Sequence, residues 1–316
     1  MTQQQRVSPL VEGAFLALIM ALMGALAIYF MPVKFLIDYV WGIPLIVIVK
    51  RYNIRTGMLT LTTTLFITGM LTDPVMTLLL VVKLAPLALA YSLLFKREVS
   101  PGVALAGGVV VCLISDFLTI VGYLYLAKIS IIPTEQALQM QAQQFAVLYT
   151  KIGMDAVQAK QLAQSAVQLT LALVPSTLAV AAVVRAFLTY ILAVKVLRKL
   201  DYRVAPLPSF REWRIPWYSV WVLIIGLVMS LAGDQYKLTT LATIGKNLVF
   251  IVIPLFLLIG LAVIAHFMKV WEIPRWIKIL LLVTAVINLT GSLVLVILVG
   301  VFDPLVTFRK WKRPKD

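Results

Sequence analysis

Apolar residues along this chain come in runs of about twenty, separated by short polar or proline-containing segments and without the period-two alternation of a membrane barrel. Coiled at ~1.5 Å per residue, such runs match the ~30 Å hydrocarbon core of a bilayer, and as helices they satisfy every backbone N–H and C=O internally. The pattern predicts an all-α polytopic membrane protein with spans at 8–31, 35–49, 56–71, 75–95, 101–127, 169–195, 216–232, 241–267 and 278–301. The second and third reach only about 22–24 Å, which suggests protein-lined rather than lipid-facing helices. Between the fifth and sixth spans, 128–168 reads as a helical hairpin with Thr134 and Asp155 as N-caps and Gly153 as a C-cap. Leu138, Phe145, Leu148 and Leu162 lie on its apolar faces. It is either a packed connector or a lid. The proline-rich, charged stretch 196–215 divides a six-span bundle (1–195) from about three further C-terminal membrane segments (216–316).

Composition agrees: 62% of residues are hydrophobic and only 13% charged, too few for a soluble two-domain protein. The formal charge of +15 would suggest nucleic acid in a soluble chain. Here the cations sit in short loops, Lys50, Arg51, Arg55, Lys96, Arg97, Arg198, Lys199 and Arg203 among them, and this is a topology signal that places the N-terminus in the cytoplasm. One conflict arises. Nine spans put the basic tail "FRKWKRPKD" outside, unless the last run turns back at Asn288–Ser292 as a re-entrant hairpin and leaves eight full spans. A single cysteine, Cys112, and a single histidine, His266, offer neither an internal disulfide nor a metal cluster. No phosphate-binding loop, "HExxH" or nucleophile elbow is present, so the sequence argues for no enzyme and no cofactor.

Three ionisable residues stand deep in predicted spans: Lys83, Asp116 and Arg185. Counted from the inner ends, Asp116 lies about 22 Å beyond Pro101, Lys83 about 20 Å beyond Lys96 and Arg185 about 15 Å beyond Lys195, which places all three in one layer. A charge at that depth costs roughly 2.5–3.5 kcal/mol, so it faces the bundle interior and pairs. Gly108, Cys112, Ser115, Asp116 and Thr119 share one small or polar helix face, and Ala181, Ala182, Arg185 and Thr189 share another. An Asp116–Arg185 pair that only fixes helix register, a polar site for a small solute, and a proton relay all fit. In the second case Lys83 is left over and the layer carries one net positive charge. Glu12, one turn into the first span, is too shallow to join and pairs with a lysine or arginine at that end.

Gly13, Ala17, Ala21 and Ala25 recur every four residues on the first helix, a smooth ridge for close packing either within the bundle or against a separate subunit.

The motifs "EGAFLA" (12–17), "LPSFREWRIPWYSVW" (207–221), "GLAVIAHFMK" (260–269), "IPRWIK" (273–278) and "FDPLVTFRK" (302–310) resemble those of the YybS-like family of bacterial integral membrane proteins. Thr307 stands where that pattern has an acidic residue. The first six spans of the family are similar to the S components of energy-coupling-factor vitamin transporters. The resemblance implies a six-helix bundle with an outward-facing ligand pocket, in which Ala17, Ala21 and Ala25 match the pattern that docks a transmembrane coupling subunit, itself driven by an ATPase. It is also similar to a cell-shape membrane protein, which implies a non-transporting scaffold in envelope growth or division. Two functional expectations follow. The chain is a small-solute component with Asp116, Arg185 and Lys83 as polar contacts, or a scaffold whose charged layer is structural. On either, the partners are the bilayer and other membrane proteins, not nucleic acid.

Overall fold

The computed structural model describes residues 8–129, 135–306 and 308–310, so the expected N-cap Thr134 and the variant position Thr307 lie outside the described residues. Among those described there are thirteen α-helices and no strands. Seven helical stretches are long and apolar enough to cross a membrane. The chain falls into two compact units, Met1–Leu138 with Leu178–Leu207, and Gln139–Thr177 with Pro208–Asp316.

In the first unit α1 (Pro9–Tyr29), α2 (Met31–Val40), α3 (Ile43–Arg51), α4 (Ile54–Leu71), α5 (Pro74–Lys96), α6 (Pro101–Tyr125) and most of α9 (Val174–Lys199) form the bundle. Their starts are chemically marked. Ser8, Asn53 and Asp73 accept hydrogen bonds from the amides of Val11, Thr56 and Met76, and prolines follow Ser8, Asp73 and Ser100 at the first helical position. The short second span is a broken one. Between α2 and α3 the chain bends at Trp41–Gly42, where the fully buried Trp41 indole donates to the Met20 carbonyl (3.0 Å) and so pins the break to α1. The core gathers Trp41, Leu45, Ile46, Tyr91, Phe95 and Tyr190. Tyr91, on α5, donates its hydroxyl to the Ala186 carbonyl of α9 (2.7 Å). Outward, α1 shows Phe15, Leu18, Leu22 and Leu26, the large apolar face that lipid solvates.

The second unit contains α8 (Ala156–Ala172), most of α7 (Glu135–Lys151), and α10 (Ser219–Gln235), α11 (Thr239–Val270), α12 (Arg275–Ile287) and α13 (Leu289–Val306). The structure therefore places most of the 128–168 hairpin with the C-terminal helices and not, as the sequence suggested, with the six-span bundle. The reason is Asn247 on α11. Its amide nitrogen donates to the carbonyls of Ala172 (2.7 Å) and Thr243 (2.8 Å), and its oxygen accepts from the Ser176 amide (2.9 Å). The break at Leu173 between α8 and α9 is thus tied to α11. Asp155 caps α8, and Gly153 takes the left-handed conformation (φ +95°) at the turn before it, both as expected. On α8 the buried face is Ala159, Ala163 and Val167, while Leu162 remains exposed, because the small residues admit closer packing.

The last predicted span is not one helix. Asn288 ends α12 and accepts the Gly291 amide at the start of α13 (3.2 Å). α11 and α13 run side by side in the same direction: Gly260 abuts the Val296 backbone, Gly300 abuts the Phe256 backbone, and farther along Phe308 joins Phe267 and Trp271 around one apolar cavity. Two parallel neighbours need a return between them, and α12 is that return. The chain turns at Asn288, the alternative that brings Phe308 beside the end of α11.

Candidate functional site

The polar layer of the first bundle is built by four helices. α6 buries Ala104, Gly108, Cys112, Ser115 and Thr119 along one face, with Asp116 at its edge. Arg185, on α9, reaches that face with its whole guanidinium. Nη1 donates to Asp116 Oδ1 (2.8 Å), Nη2 to the Cys112 carbonyl (3.3 Å) and Nε to Cys112 Sγ (3.4 Å). The Arg185 side chain is 6% exposed and that of Asp116 14%, so this is a buried and well-satisfied pair. The sequence placed both residues in one layer, and the structure brings them together.

Lys83 is not the unpaired cation that the sequence reading made it. Its Nζ donates to Asp38 Oδ2 at 2.6 Å, joining α5 to α2. The four charges balance, which corrects the expected net positive layer to a neutral one. The two pairs are neighbours. Thr189, one turn beyond Arg185 on α9, donates to the carbonyl of Tyr39 (3.2 Å), the residue after Asp38. They differ in access, since the side chains of Lys83 and Asp38 keep 27% and 19% of their surface.

Sequence reasoning passed over Asp38 because it sits near one end of a short span. Its depth cannot be counted along a straight helix when the chain breaks three residues later at Trp41.

The ridge on α1 is filled from inside the bundle. Gly13, Ala17 and Ala21 are buried and Ala25 half-buried. A Cβ on Gly13 would stand 2.8 Å from Thr60 Oγ1, and Thr64 Oγ1 lies 3.4 Å from the Ala17 carbonyl. The covering face is Thr56, Thr60, Thr64 and Thr68 of α4, also spaced by four and all buried. Of the two occupants that the sequence left open for Gly13, Ala17, Ala21 and Ala25, the bundle itself supplies one: the α4 threonines pack on the ridge at Gly13 and Ala17. Ala21→Leu is therefore expected to lower the melting temperature of the purified protein, at roughly 1–3 kcal/mol for overpacking. An unchanged melting curve with loss of a co-isolated membrane partner would return the ridge to the docking role.

At the end of α1, Glu12 pairs with Arg51 (2.7 Å) and accepts the Tyr52 hydroxyl (2.7 Å), as expected for so shallow a carboxylate. That hydrogen bond raises the Tyr52 phenol above its ordinary pKa.

In the second unit the two longest sequence motifs meet. Arg309 donates from Nη1 to the Arg211 carbonyl (2.7 Å) and from Nη2 to Asp303 Oδ2 (3.0 Å). The Arg309 and Asp303 side chains are 2% and 6% exposed. "LPSFREWRIP" and "FDPLVTFRK" are thus two halves of one buried joint. Nothing in their spacing announced this, because the contact closes over the end of α13. Among the described residues no group of three or more His, Cys, Asp or Glu could hold a metal ion.

No curated protein and no solved structure matches the chain. Residues 17–304 match the family model described as "Predicted membrane protein (DUF2232)", which reaches into both units and ends before Arg309, and the chain belongs to that family of predicted membrane proteins.

Proposed function

We propose that the first bundle binds a small solute and works with a separate energising partner. In this reading Lys83 and Asp38 supply the polar contacts, while Asp116 and Arg185 hold the frame. The observation that carries it is the unequal state of the two neighbouring pairs. Arg185 spends every guanidinium nitrogen on α6, whereas Lys83 meets Asp38 through one hydrogen bond and both keep part of their surface. A neutral layer with one accessible pair of opposite charges suits a zwitterionic or strongly dipolar solute, whose own charges replace the partners one for one; a bare anion would leave Asp38 opposed. The resemblance to S components and the lack of a nucleotide-binding motif point to a coupling subunit and an ATPase as the energising partners. With the α1 ridge covered, such a subunit docks on another face.

In this reading the protein lies in a bacterial cytoplasmic membrane with the N-terminus inside, which the distribution of basic loops supports. The turn at Asn288 supports this orientation, since it brings the end of α13 to the end of α11 that carries Lys269, which Arg275 follows at the start of α12.

A second reading, a non-transporting scaffold in envelope growth or division, draws on the complete satisfaction of Arg185. The two readings separate on purified protein. Mass spectrometry of the wild type is expected to recover a co-purified polar small molecule that Lys83→Gln and Asp38→Asn lose while their melting temperatures stay within a few degrees of wild type. An empty wild type, with both variants unstable, is the scaffold result.

A further inference from the structure

A cavity with mixed polar and apolar walls lies in the first unit, at the end where α5 and α9 stop, away from the charged layer. It encloses about 500 Å³ between the last turns of α5 and α9 and the strap that follows α9, with Phe95, Tyr190 and Tyr202 as aromatic walls and Arg198, Arg203 and Glu98 as charged ones. The strap is anchored, since the Tyr190 hydroxyl donates to the Ala205 carbonyl (2.8 Å) and the Tyr202 amide to the Leu197 carbonyl (3.0 Å). The strap backbone and the Tyr190 ring are therefore held in place before any ligand arrives.

Two helix C-termini meet this cavity, and their carbonyls would ordinarily oppose an anion. Most of them are already engaged. The Phe95 carbonyl takes Lys50 Nζ (2.7 Å), the Leu94 carbonyl takes the Val99 amide, and those of Val196, Leu197 and Arg198 take the amides of Leu200, Tyr202 and Asp201. The guanidinium groups of Arg198 and Arg203, by contrast, have no ion pair and no hydrogen bond among the described residues. Two free forks beside one carboxylate leave the cavity cationic.

We infer that this cavity binds a phosphate group, carried either by a phospholipid headgroup or by a soluble phosphate. A carboxylate satisfies one guanidinium fork, whereas the several oxygens of a phosphate can take both. The aromatic walls suit the headgroup level of a bilayer, where amphipathic rings concentrate. Glu98 faces the bound group and limits its affinity, so its removal strengthens binding.

The test is isothermal titration of the full-length purified protein with dihexanoyl phosphatidylglycerol, with dihexanoylglycerol lacking the phosphate, and with inorganic phosphate. Phosphatidylglycerol is expected to bind and dihexanoylglycerol not. Arg198→Gln and Arg203→Gln are each expected to weaken binding about fivefold, and Glu98→Gln to tighten it about fivefold, the scale for one charge at a membrane surface. Inorganic phosphate binding with the same pattern of variant effects, without the lipid, assigns the soluble source. Equal affinity for the two lipids, or phosphate binding indifferent to all three substitutions, overturns the proposal. Should either arginine variant misfold, the gain in Glu98→Gln still decides the question.

Discussion

Replacing Arg185 with glutamine is expected to destabilise the first bundle by on the order of 3 kcal/mol, because it leaves the Asp116 carboxylate in a low-dielectric interior without its counter-charge. Asp116→Asn should cost a similar amount for the mirror reason, with a guanidinium then stranded against the Cys112 carbonyl. The informative variant is the double one, Asp116→Leu with Arg185→Met. Exchanging a buried ion pair for apolar residues of similar volume is commonly neutral or stabilising by roughly 1–4 kcal/mol, since both desolvation penalties vanish together. If the pair only frames the bundle, the double variant melts at or above wild type while each single variant melts well below. Thermal melting in detergent reads all three. A double variant as unstable as either single one would mean that the hydrogen bonds to Cys112 carry the stability and the charge pair does not.

That experiment bears on how much the amino-acid pattern alone can say. The presence of Asp116 and Arg185 in apolar runs was enough to pair them, because an unpaired charge at that depth is too costly and both lie on small-residue faces. Straight-helix counting worked for them because α6 and α9 are continuous where it was applied. It failed for Asp38, whose helix ends at Val40, so the net charge of the layer was misjudged by one partner. The α1 ridge was legible as a packing face, but its occupant was not. The signal lay in Thr56, Thr60, Thr64 and Thr68, a second row spaced by four, in a span whose six threonines leave it outside the seven most apolar stretches. Asn247 and Arg309 were invisible for a different reason. Their long-range partners, the carbonyls of Ala172 and Arg211 and the amide of Ser176, are main-chain groups of distant segments, which carry no residue-type signal, although the short-range Asp303 partner of Arg309 is a side chain.

The other large effect expected is at the crossing of α11 and α13. A Cβ on Gly260 would fall on the Val296 carbonyl oxygen, and one on Gly300 on that of Phe256, so at both glycines the neighbouring helix approaches with its backbone. No rotamer relieves a clash at the Cβ itself, and a neighbouring main chain cannot yield as a side-chain tip can. Gly260→Leu is therefore expected at the upper end of the roughly 1–3 kcal/mol typical of overpacking, and to force α13 off α11. Gly102→Ala, whose new methyl meets nothing within 4 Å, is the matched control and should be neutral. Separation can be read directly by cysteines placed at Trp271 and Phe308, which line one cavity at the common end of the two helices. Cross-linking is expected in the otherwise native chain and in the Gly102→Ala background, and is expected to fail with Gly260→Leu. Absence of cross-linking in the native background would show instead that α13 runs against α11 rather than with it, and the return through α12 at Asn288 would have to be abandoned.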